Sequence, residues 1–174
     1  IAMSEEPLPV SLPEDGLPLL VTVANVREEK NHLRQVAAMQ RLFSEGLRFR
    51  WVNIGSLANA PLVEKLRLAV RNAGLEDYFT LTGPLDNPYG VMRRADAVCV
   101  LSDHESWSMV ITEAKALGVP VIATRTSGAL EQIEDGKNGV LCGFSDEEIT
   151  ESLRAFLTGG AAEVTLDNGG KLLL

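Results

Sequence analysis

Short apolar runs alternate with stretches of helical periodicity along most of the chain. The runs are continuous and contain few polar positions, which is typical of strands buried on both faces of a sheet. Between them, apolar residues recur at the spacing of one helix face. The predicted strands are LLVTVA (19–24), FRWVNIG (49–55), YFTLTG (78–83), AVCVL (97–101), VPVIAT (119–124) and GVLC (139–142).

The predicted helices fill the intervals between most of these strands. They lie from about residue 31, around 62–69, near 89–94, from 108 to a stop at Gly118 and Pro120, and around 147–157. On the first of them, Leu33, Val36 and Ala37 share the predicted apolar face. Strand and helix in alternation imply a parallel sheet with right-handed crossovers. The pattern therefore predicts an α/β fold with a doubly wound, Rossmann-like parallel sheet.

The two ends of the chain lack this pattern. Residues 1–18 hold four of the eight prolines and are interpreted as a linker, residues 19–158 as one domain, and residues 159–174 as an unassigned tail. This organisation indicates a piece of a longer protein.

Composition narrows the function class. The chain has 174 residues, of which 45% are hydrophobic and 23% charged, as expected for one globular domain. The net charge of -8 argues against nucleic acid as a partner. No apolar stretch is long enough for a transmembrane helix, and the N-terminus lacks a signal-peptide pattern. A cytoplasmic location is the expectation.

Two cysteines, Cys99 and Cys142, sit within apolar runs and are predicted to stay reduced. In the usual doubly wound strand order 3-2-1-4-5-6, their strands are the fourth and the sixth. Two strand spacings amount to about 9.6 Å, more than the roughly 7 Å that a disulfide tolerates between Cα atoms. A disulfide between them is therefore not expected.

Ligands of such folds bind outside the carboxyl ends of the strands, where the strand order reverses. The loops expected to matter are 24–31, 55–61, 83–88, 102–109 and 125–128. In the first of them, Asn31 is a candidate helix N-cap, which puts Lys30 directly before the helix. A lysine there adds a full charge to a helix terminus that already favours anions. A solvated surface lysine is the alternative.

Two glutamates, Glu105 and Glu113, flank the predicted start of a helix at Ser108. Helical spacing places Val110, Ala114 and Leu117 on the buried stripe, with Glu113 at its flank. A carboxylate there must be paired or hydrogen-bonded, either as a core-edge residue or as an acceptor for two ligand hydroxyls. The loop amides just before and within the first turn can point at a phosphate.

Three other kinds of chemistry are less well supported. A glycosidase dyad needs carboxylates about 5 to 9.5 Å apart, whereas eight residues of continuous helix would separate them by about 12 Å. Because Glu105 precedes the predicted helix, this distance weakens the dyad without excluding it. Asp103, His104 and Glu105 resemble an acidic metal motif, but one such cluster beside a phosphate-binding helix start is poor evidence for a metal. His32 is expected to be exposed and His104 to line the cleft, and neither has a neighbouring nucleophile.

The stretch SDHESWSMVITEAKALGVPVIATRTSGALEQIEDGKNGVL resembles the C-terminal, donor-binding half of GT-B-fold glycosyltransferases of family 4, the glycosyl transferases group 1. The family's ordered features are E-x7-E with an aromatic between, then EA, G-x-P and a D-G-x-x-G turn. In this sequence they are Glu105, Trp107, Glu113-Ala114, Gly118, Pro120, Asp135-Gly136 and Gly139. REEKNH and LTGPL match two further loops, and the resemblance covers about residues 19–158.

The resemblance implies a retaining, metal-independent transferase that uses a nucleoside-diphosphate sugar and needs no cofactor. It assigns Lys30 to the diphosphate, Glu113 to the ribose hydroxyls and Glu105 to the transferred sugar, with Lys30 and Glu105 as the catalytic pair. The remaining implied donor-binding residues are Asn25 and Arg27 in the first loop, Gly83, Pro84 and Leu85 beside the base, and Ser106, Trp107, Ser108 and Met109, the last three through their amides. Lys30 and the amides at the helix terminus would stabilise the charge on the leaving diphosphate.

The sequence departs from the family in three places. Asn25 stands where the family usually has an arginine, with Arg27 nearby; E-S-W-S replaces E-G-F-G; and Gly55 is followed by Ser56-Leu57 in place of G-x-G. The implied partner is an N-terminal acceptor-binding domain of the same full-length chain. That domain could also contact a membrane peripherally. Without it, the donor-binding domain should be catalytically inactive. A nucleotide-sugar 2-epimerase-like enzyme and a non-catalytic nucleotide-sugar-binding module remain as alternatives.

Overall fold

The computed structural model describes residues 8–159 together with two short strands at 164–165 and 171–172. Six parallel strands form the main sheet: β1 (Leu19–Val23), β2 (Arg50–Ile54), β3 (Phe79–Gly83), β4 (Ala97–Val100), β5 (Val121–Thr124) and β6 (Gly139–Cys142). The helices are α1 (His32–Ser44), α2 (Ala60–Asn72), α3 (Tyr89–Arg94), α4 (Met109–Ala116), α5 (Ser127–Gln132) and α6 (Asp146–Thr158). The strands β7 (Val164–Thr165) and β8 (Lys171–Leu172) pair antiparallel.

The strand order is β3-β2-β1-β4-β5-β6, which confirms the predicted doubly wound, Rossmann-like sheet. The order reverses between β1 and β4, which pair directly through Leu20 with Ala97 and Val21 with Val98. The loops that follow these two strands therefore lie side by side at one edge of the sheet.

Alternating strand residues supply two apolar layers. One layer packs Leu20, Trp51 and Cys99 against helices α1, α2 and α6. The other packs Val21, Val52 and Val98 against α3, α4 and α5. The central strands are thus buried on both faces, as their continuous apolar sequences predict.

Local sequence explains where several helices begin. The Ser108 hydroxyl accepts a hydrogen bond from the Ile111 N–H and caps α4, as predicted. Ser145 and Glu148 form a capping box at the start of α6. The Asn59 side chain caps α2, which has a proline in its first turn.

Some sequence-based expectations on the helices were wrong. Ala37 is exposed, and the buried face of α1 instead includes His32, Val36 and Met39. His32 was expected to be exposed but is only 2% accessible, because it lies on the same face of α1 as the buried residues Val36 and Met39. Helix α5 was not predicted, and neither was the short 3-10 helix Glu28–Lys30 in front of α1.

The cysteine prediction is confirmed. Cys99 and Cys142 are both free and buried, and β5 lies between their strands. Of the predicted terminal segments, residues 1–7 of the linker and most of the tail lie outside the described residues. The longest described helices have 13 residues, and none of the helices described here could cross a membrane.

Candidate functional site

A cleft of about 530 Å³ opens at the carboxyl ends of β1, β2 and β4. It lies where the strand order reverses, the place at which such sheets bind ligands. Eight of the sequence-predicted site residues line it: Asn25, Arg27, Lys30, Pro84, Leu85, Glu105, Trp107 and Met109. The four predicted residues that are not among its lining residues are Gly83, Ser106, Ser108 and Glu113.

The floor of the cleft contains a backbone crossing that only glycine permits. A Cβ atom on Gly55 would lie 2.1 Å from the Ala24 carbonyl oxygen. The Gly55 N–H donates to the carbonyl oxygen of Gly83, which has a φ of +77°. These contacts hold the loops after β1, β2 and β3 close together.

Lys30 and Glu105 form an ion pair across the cleft. The Lys30 Nζ lies 3.0 Å from Glu105 Oε2, and both side chains are largely shielded from solvent. Lys30 comes from the loop after β1, and Glu105 from the loop after β4. The structure thus brings together the two residues that the sequence assigns to the catalytic pair.

Asn31 precedes α1 but does not cap it through its side chain. Its backbone is left-handed, with a φ of 62°, and its carboxamide donates to the Leu101 carbonyl oxygen and to Asp103 Oδ1. Asn31 therefore occupies the N-cap position, as predicted, but its side chain makes no capping hydrogen bond. Asp103 and Glu105 are both held by nitrogen donors here, and the described residues include no group of three potential metal ligands.

The amides at the start of α4 divide into two groups. The Ser108 N–H was predicted to contact a phosphate. It instead donates to Gln132 Oε1 at 2.9 Å, so in this arrangement it is not available to a ligand. Met109 and Val110, the first two helical residues, have N–H groups that no helical carbonyl can accept. Trp107 and Met109 are 54% and 62% exposed, so this helix terminus is open to a ligand.

Glu113 lies half-buried at the flank of α4. The neighbouring buried positions are Ile111 and Ala114, while Val110 and Leu117 are only partly buried, so the stripe lies slightly to one side of the predicted one. Glu113 accepts a hydrogen bond from the Tyr89 hydroxyl, and this bond and the carboxylate charge raise the pKa of the Tyr89 phenol. No pattern in the sequence indicates this partner.

The position where the family usually has an arginine makes a structural contact. Asn25 Oδ1 accepts the Ser56 N–H at 2.9 Å and ties the loops after β1 and β2 together. Arg27 is exposed, lines the cleft and has no ion-pair partner within the described part of the chain. The cleft therefore presents Lys30 and Arg27 as cations.

Helix α5, which sequence reasoning missed, supports the loop that carries Glu105. The Gly128 N–H donates to the Glu105 carbonyl oxygen at 2.6 Å. A Cβ atom on Gly128 would lie 2.8–2.9 Å from backbone atoms of residues 105–107. Gln132 accepts the Ser108 N–H and donates to the Ser108 carbonyl oxygen and the Thr112 hydroxyl. The signal in the sequence was TSGALEQ, in which a threonine that can cap a helix follows two residues after the end of a strand.

The comparisons with known proteins agree with this architecture. The family model described as glycosyl transferases group 1 matches residues 4–172. The chain belongs to the glycosyl transferases group 1.

Two relatives illustrate this glycosyltransferase family. The N-acetyl-alpha-D-glucosaminyl L-malate synthase of Bacillus anthracis is 30% identical over 128 residues, which are 74% of this chain and 32% of that protein. The 2-deoxystreptamine glucosyltransferase of Streptomyces kanamyceticus is 31% identical over 124 residues, which are 70% of this chain and 31% of that protein. The chain spans about a third of the length of these relatives.

Solved structures share the fold. A crystal structure of Anabaena Alr3699/HepE in complex with UDP and glucose aligns with a TM-score of 0.72 at 21% identity, covering 80% of this chain and 38% of that one. The C-terminal domain of the group 1 protein LpcC from Francisella tularensis aligns with a TM-score of 0.70 at 23% identity, covering 82% of this chain and 77% of that one. The chain thus has the fold of a GT-B group 1 glycosyltransferase domain.

Proposed function

We propose that this chain forms the donor-binding domain of a retaining glycosyltransferase that uses a nucleoside-diphosphate sugar. The observation that carries the proposal is the Lys30–Glu105 pair, which lies at the strand-order reversal beside the exposed terminus of α4. Membership of the family supports sugar transfer. The UDP in the Anabaena structure supports a nucleoside diphosphate as the ligand class.

The charges of the cleft fit the chemistry of a diphosphate leaving group. When the bond between the anomeric carbon and the diphosphate oxygen breaks, negative charge grows on the diphosphate. Lys30, Arg27 and the amides of Trp107 and Met109 would stabilise that charge, with Lys30 leaving Glu105 or sharing its amine between Glu105 and the diphosphate. The proposed reaction is metal-independent, because these protein groups supply the positive charge.

The remaining predicted residues would orient the donor. Glu105 would contact the transferred sugar, and Glu113 would accept the ribose hydroxyls while it keeps its Tyr89 contact. A carboxylate has enough lone pairs to accept from both partners. The backbone of Gly83, Pro84 and Leu85 would flank the base, next to the cleft floor at Gly55.

Transfer would need a second domain that binds the acceptor, whether a glycan, a lipid or a small molecule. The chain covers about a third of its relatives, so we propose that an N-terminal acceptor-binding domain completes the cleft in the full-length protein. We expect the domain alone to bind donor without transferring sugar.

The direct test is the Lys30→Ala substitution, after a thermal-shift screen of UDP, GDP and ADP with their sugars has identified the preferred base. Affinity for the nucleoside diphosphate should fall about ten- to a hundredfold, because charge-assisted hydrogen bonds contribute about 1.5–3 kcal/mol each. Affinity for the corresponding nucleoside should change little. Calorimetry with both ligands measures the two effects.

Two controls sharpen this test. Lys65→Ala removes an exposed lysine of α2 outside the cleft and should leave both affinities unchanged. The double variant Lys30→Ala/Glu105→Gln removes both members of the ion pair. It therefore separates the loss of the lysine from the repulsion that an unpaired Glu105 carboxylate would exert on the phosphates. Equal losses for nucleoside and nucleoside diphosphate in Lys30→Ala would place Lys30 away from the phosphates and contradict the proposal.

A non-catalytic nucleotide-sugar-binding module is the second candidate. The observation that favours it is Asn25, which replaces a usual arginine and has its carboxamide oxygen engaged by Ser56. A full-length protein that binds nucleotide-sugar tightly but neither transfers nor hydrolyses it would support the module. Slow hydrolysis of the donor would support the transferase.

A further inference from the structure

The loops after β1 and β4 are joined by a row of contacts around Asn31. The Asn31 Nδ2 donates to the Leu101 carbonyl oxygen at 2.7 Å and to Asp103 Oδ1 at 2.9 Å. Beside it, the Asp103 N–H donates to the Glu29 carbonyl oxygen at 2.9 Å. One carboxamide thus bridges segments about seventy residues apart in sequence, at the strand-order reversal.

Lys30 lies within this row. Its neighbour Glu29 is tied to the second loop by a backbone hydrogen bond, and its neighbour Asn31 by a side chain. The next residue, His32, is the first residue of α1 and is buried. The backbone on both sides of Lys30 is therefore fixed, and the lysine has only its own side chain left to orient toward Glu105.

The backbone conformation of Asn31 does not by itself require this side chain. Asn31 is the only non-glycine residue with a positive φ among those that the structure describes, and glycine adopts that region without strain. A glycine would satisfy the backbone but would supply neither side-chain donor. The two hydrogen bonds of Asn31 therefore need an explanation beyond the turn.

We propose that Asn31 is a positioning residue that holds Lys30 against Glu105 and so presents the lysine to the diphosphate. An ion pair between two partly exposed side chains on separate loops is weak unless its geometry is fixed. The Asn31 bridge fixes that geometry before any ligand arrives, which reduces the ordering that binding must impose. The link to the diphosphate depends on the proposed function, whereas the positioning of Lys30 does not.

The first test needs no ligand. Asn31→Gly keeps the left-handed backbone and removes both donors, so the Lys30 amine should leave its ion pair more often. Its acylation rate, followed by peptide mass spectrometry, should rise toward that of exposed Lys65, while the rate at Lys65 stays unchanged. An unchanged rate at Lys30 would overturn the proposal.

Two further variants guard against a misfolded protein and a purely structural effect. Asp103→Ala removes one acceptor of the bridge and leaves Asn31 in place. If Asn31→Gly raises labelling at Lys65 as well, the fold of that variant is disturbed, and the labelling of Lys30 in Asp103→Ala becomes the test. A selective rise at Lys30 supports the bridge, and no rise refutes it. The pair Asn31→Asp with Asp103→Asn reverses donor and acceptor, and should restore part of the Lys30 protection that Asn31→Asp alone loses.

The second test measures the consequence for the ligand. Asn31→Gly should weaken nucleoside diphosphate binding about tenfold, the effect of losing most of one well-placed charged contact. In a Lys30→Ala background the same substitution should have little further effect. A tenfold loss that persists without Lys30 would refute the positioning role.

The two proposals fail in different ways. If the parent chain binds no nucleoside diphosphate but Asn31→Gly still exposes Lys30, the donor-site function fails and the positioning of Lys30 stands. If the parent binds and Lys30→Ala weakens it, while Asn31→Gly changes neither labelling nor affinity, the function stands and the positioning fails.

Discussion

His32 is buried without a polar partner, although it is the first residue of α1. Neither ring nitrogen has a hydrogen-bond partner among the described residues. Burial in the fold and, secondarily, the charge of Lys30 lower the pKa of His32 from 6.5 to about 4. The imidazole is therefore neutral at pH 7, and when the pH falls it must gain a charge while buried and without a hydrogen-bond partner.

This histidine makes the fold sensitive to acid. The unfolded chain binds a proton near pH 6.5 and the folded chain only near pH 4, so its contribution is intact above pH 6.5 and declines as the pH falls toward 4. Between pH 7 and pH 4.5 we expect a loss of about 2.5 kcal/mol from this residue. His32→Leu should show a correspondingly smaller loss in urea unfolding, and His104→Gln should behave like the parent. Equal pH dependence in parent and His32→Leu would contradict this account.

Glu113 connects the proposed ribose contact with Tyr89. Glu113→Gln keeps an oxygen for the Tyr89 hydroxyl but loses charge-assisted acceptance from a ribose, so nucleotide binding should weaken by about 1.5–3 kcal/mol. The parent should bind a 2′-deoxynucleotide less well than the ribonucleotide, and the variant should distinguish the two far less. If the substitution alters the unfolding free energy but leaves both affinities intact, Glu113 is a structural residue.

At the scale of elements, α5 acts as the support of the α4 terminus. Gln132 engages both the N–H and the carbonyl oxygen of Ser108, as a neighbouring strand would. Gln132→Ala leaves the buried Ser108 N–H without its acceptor, whereas the Ser108 carbonyl oxygen keeps its Thr112 donors, and the change should lower the unfolding free energy by about 1–3 kcal/mol. Glu131→Ala, on the exposed side of the same helix, should change it by less than about 0.5 kcal/mol in the same urea titration. A comparable loss in both variants would mean that the clamp does not stabilise the fold.

The sequence indicates some elements better than others for a physical reason. The strands and α4 have apolar residues at regular spacing and clear caps, so they could be predicted from residues close in sequence. Helix α5 has six residues, and its buried positions are Gly128, Ala129 and Gln132. Such small and polar residues give no apolar periodicity, because α5 is held by backbone contact with the loop 105–108 and not by a large apolar face.

At the scale of the molecule, strand order could be predicted because parallel crossovers permit few topologies. The residues lining the cleft followed from it together with the family resemblance. The contacts in the cleft and beside it could not be predicted, since Lys30 pairs with Glu105 and Tyr89 with Glu113 on different elements. No local pattern encodes which donor meets which acceptor once the loops converge.

The rates at which the two buried cysteines react with a thiol reagent show whether the sheet unfolds as one unit. Cys99 lies on β4 and Cys142 on the edge strand β6, and burial raises the pKa of both, that of Cys142 to about 12. Neither should react with a thiol reagent in the folded state, and both should be labelled at one rate that follows global unfolding in urea. Much faster labelling of Cys142 would show instead that β6 detaches first.

The Lys30–Glu105 pair also affects how binding should respond to ionic strength. An anionic ligand that reaches Lys30 displaces, or shares the lysine with, a carboxylate that belongs to the protein. Added salt screens the Lys30–Glu105 attraction, which is lost on binding, and also the attraction between Lys30 and the ligand, which is gained. The two effects of salt on the affinity therefore partly cancel. The carboxylate thus serves as a built-in counterion. Affinity for a diphosphate should accordingly vary less with salt than the charges lining the cleft would lead one to expect.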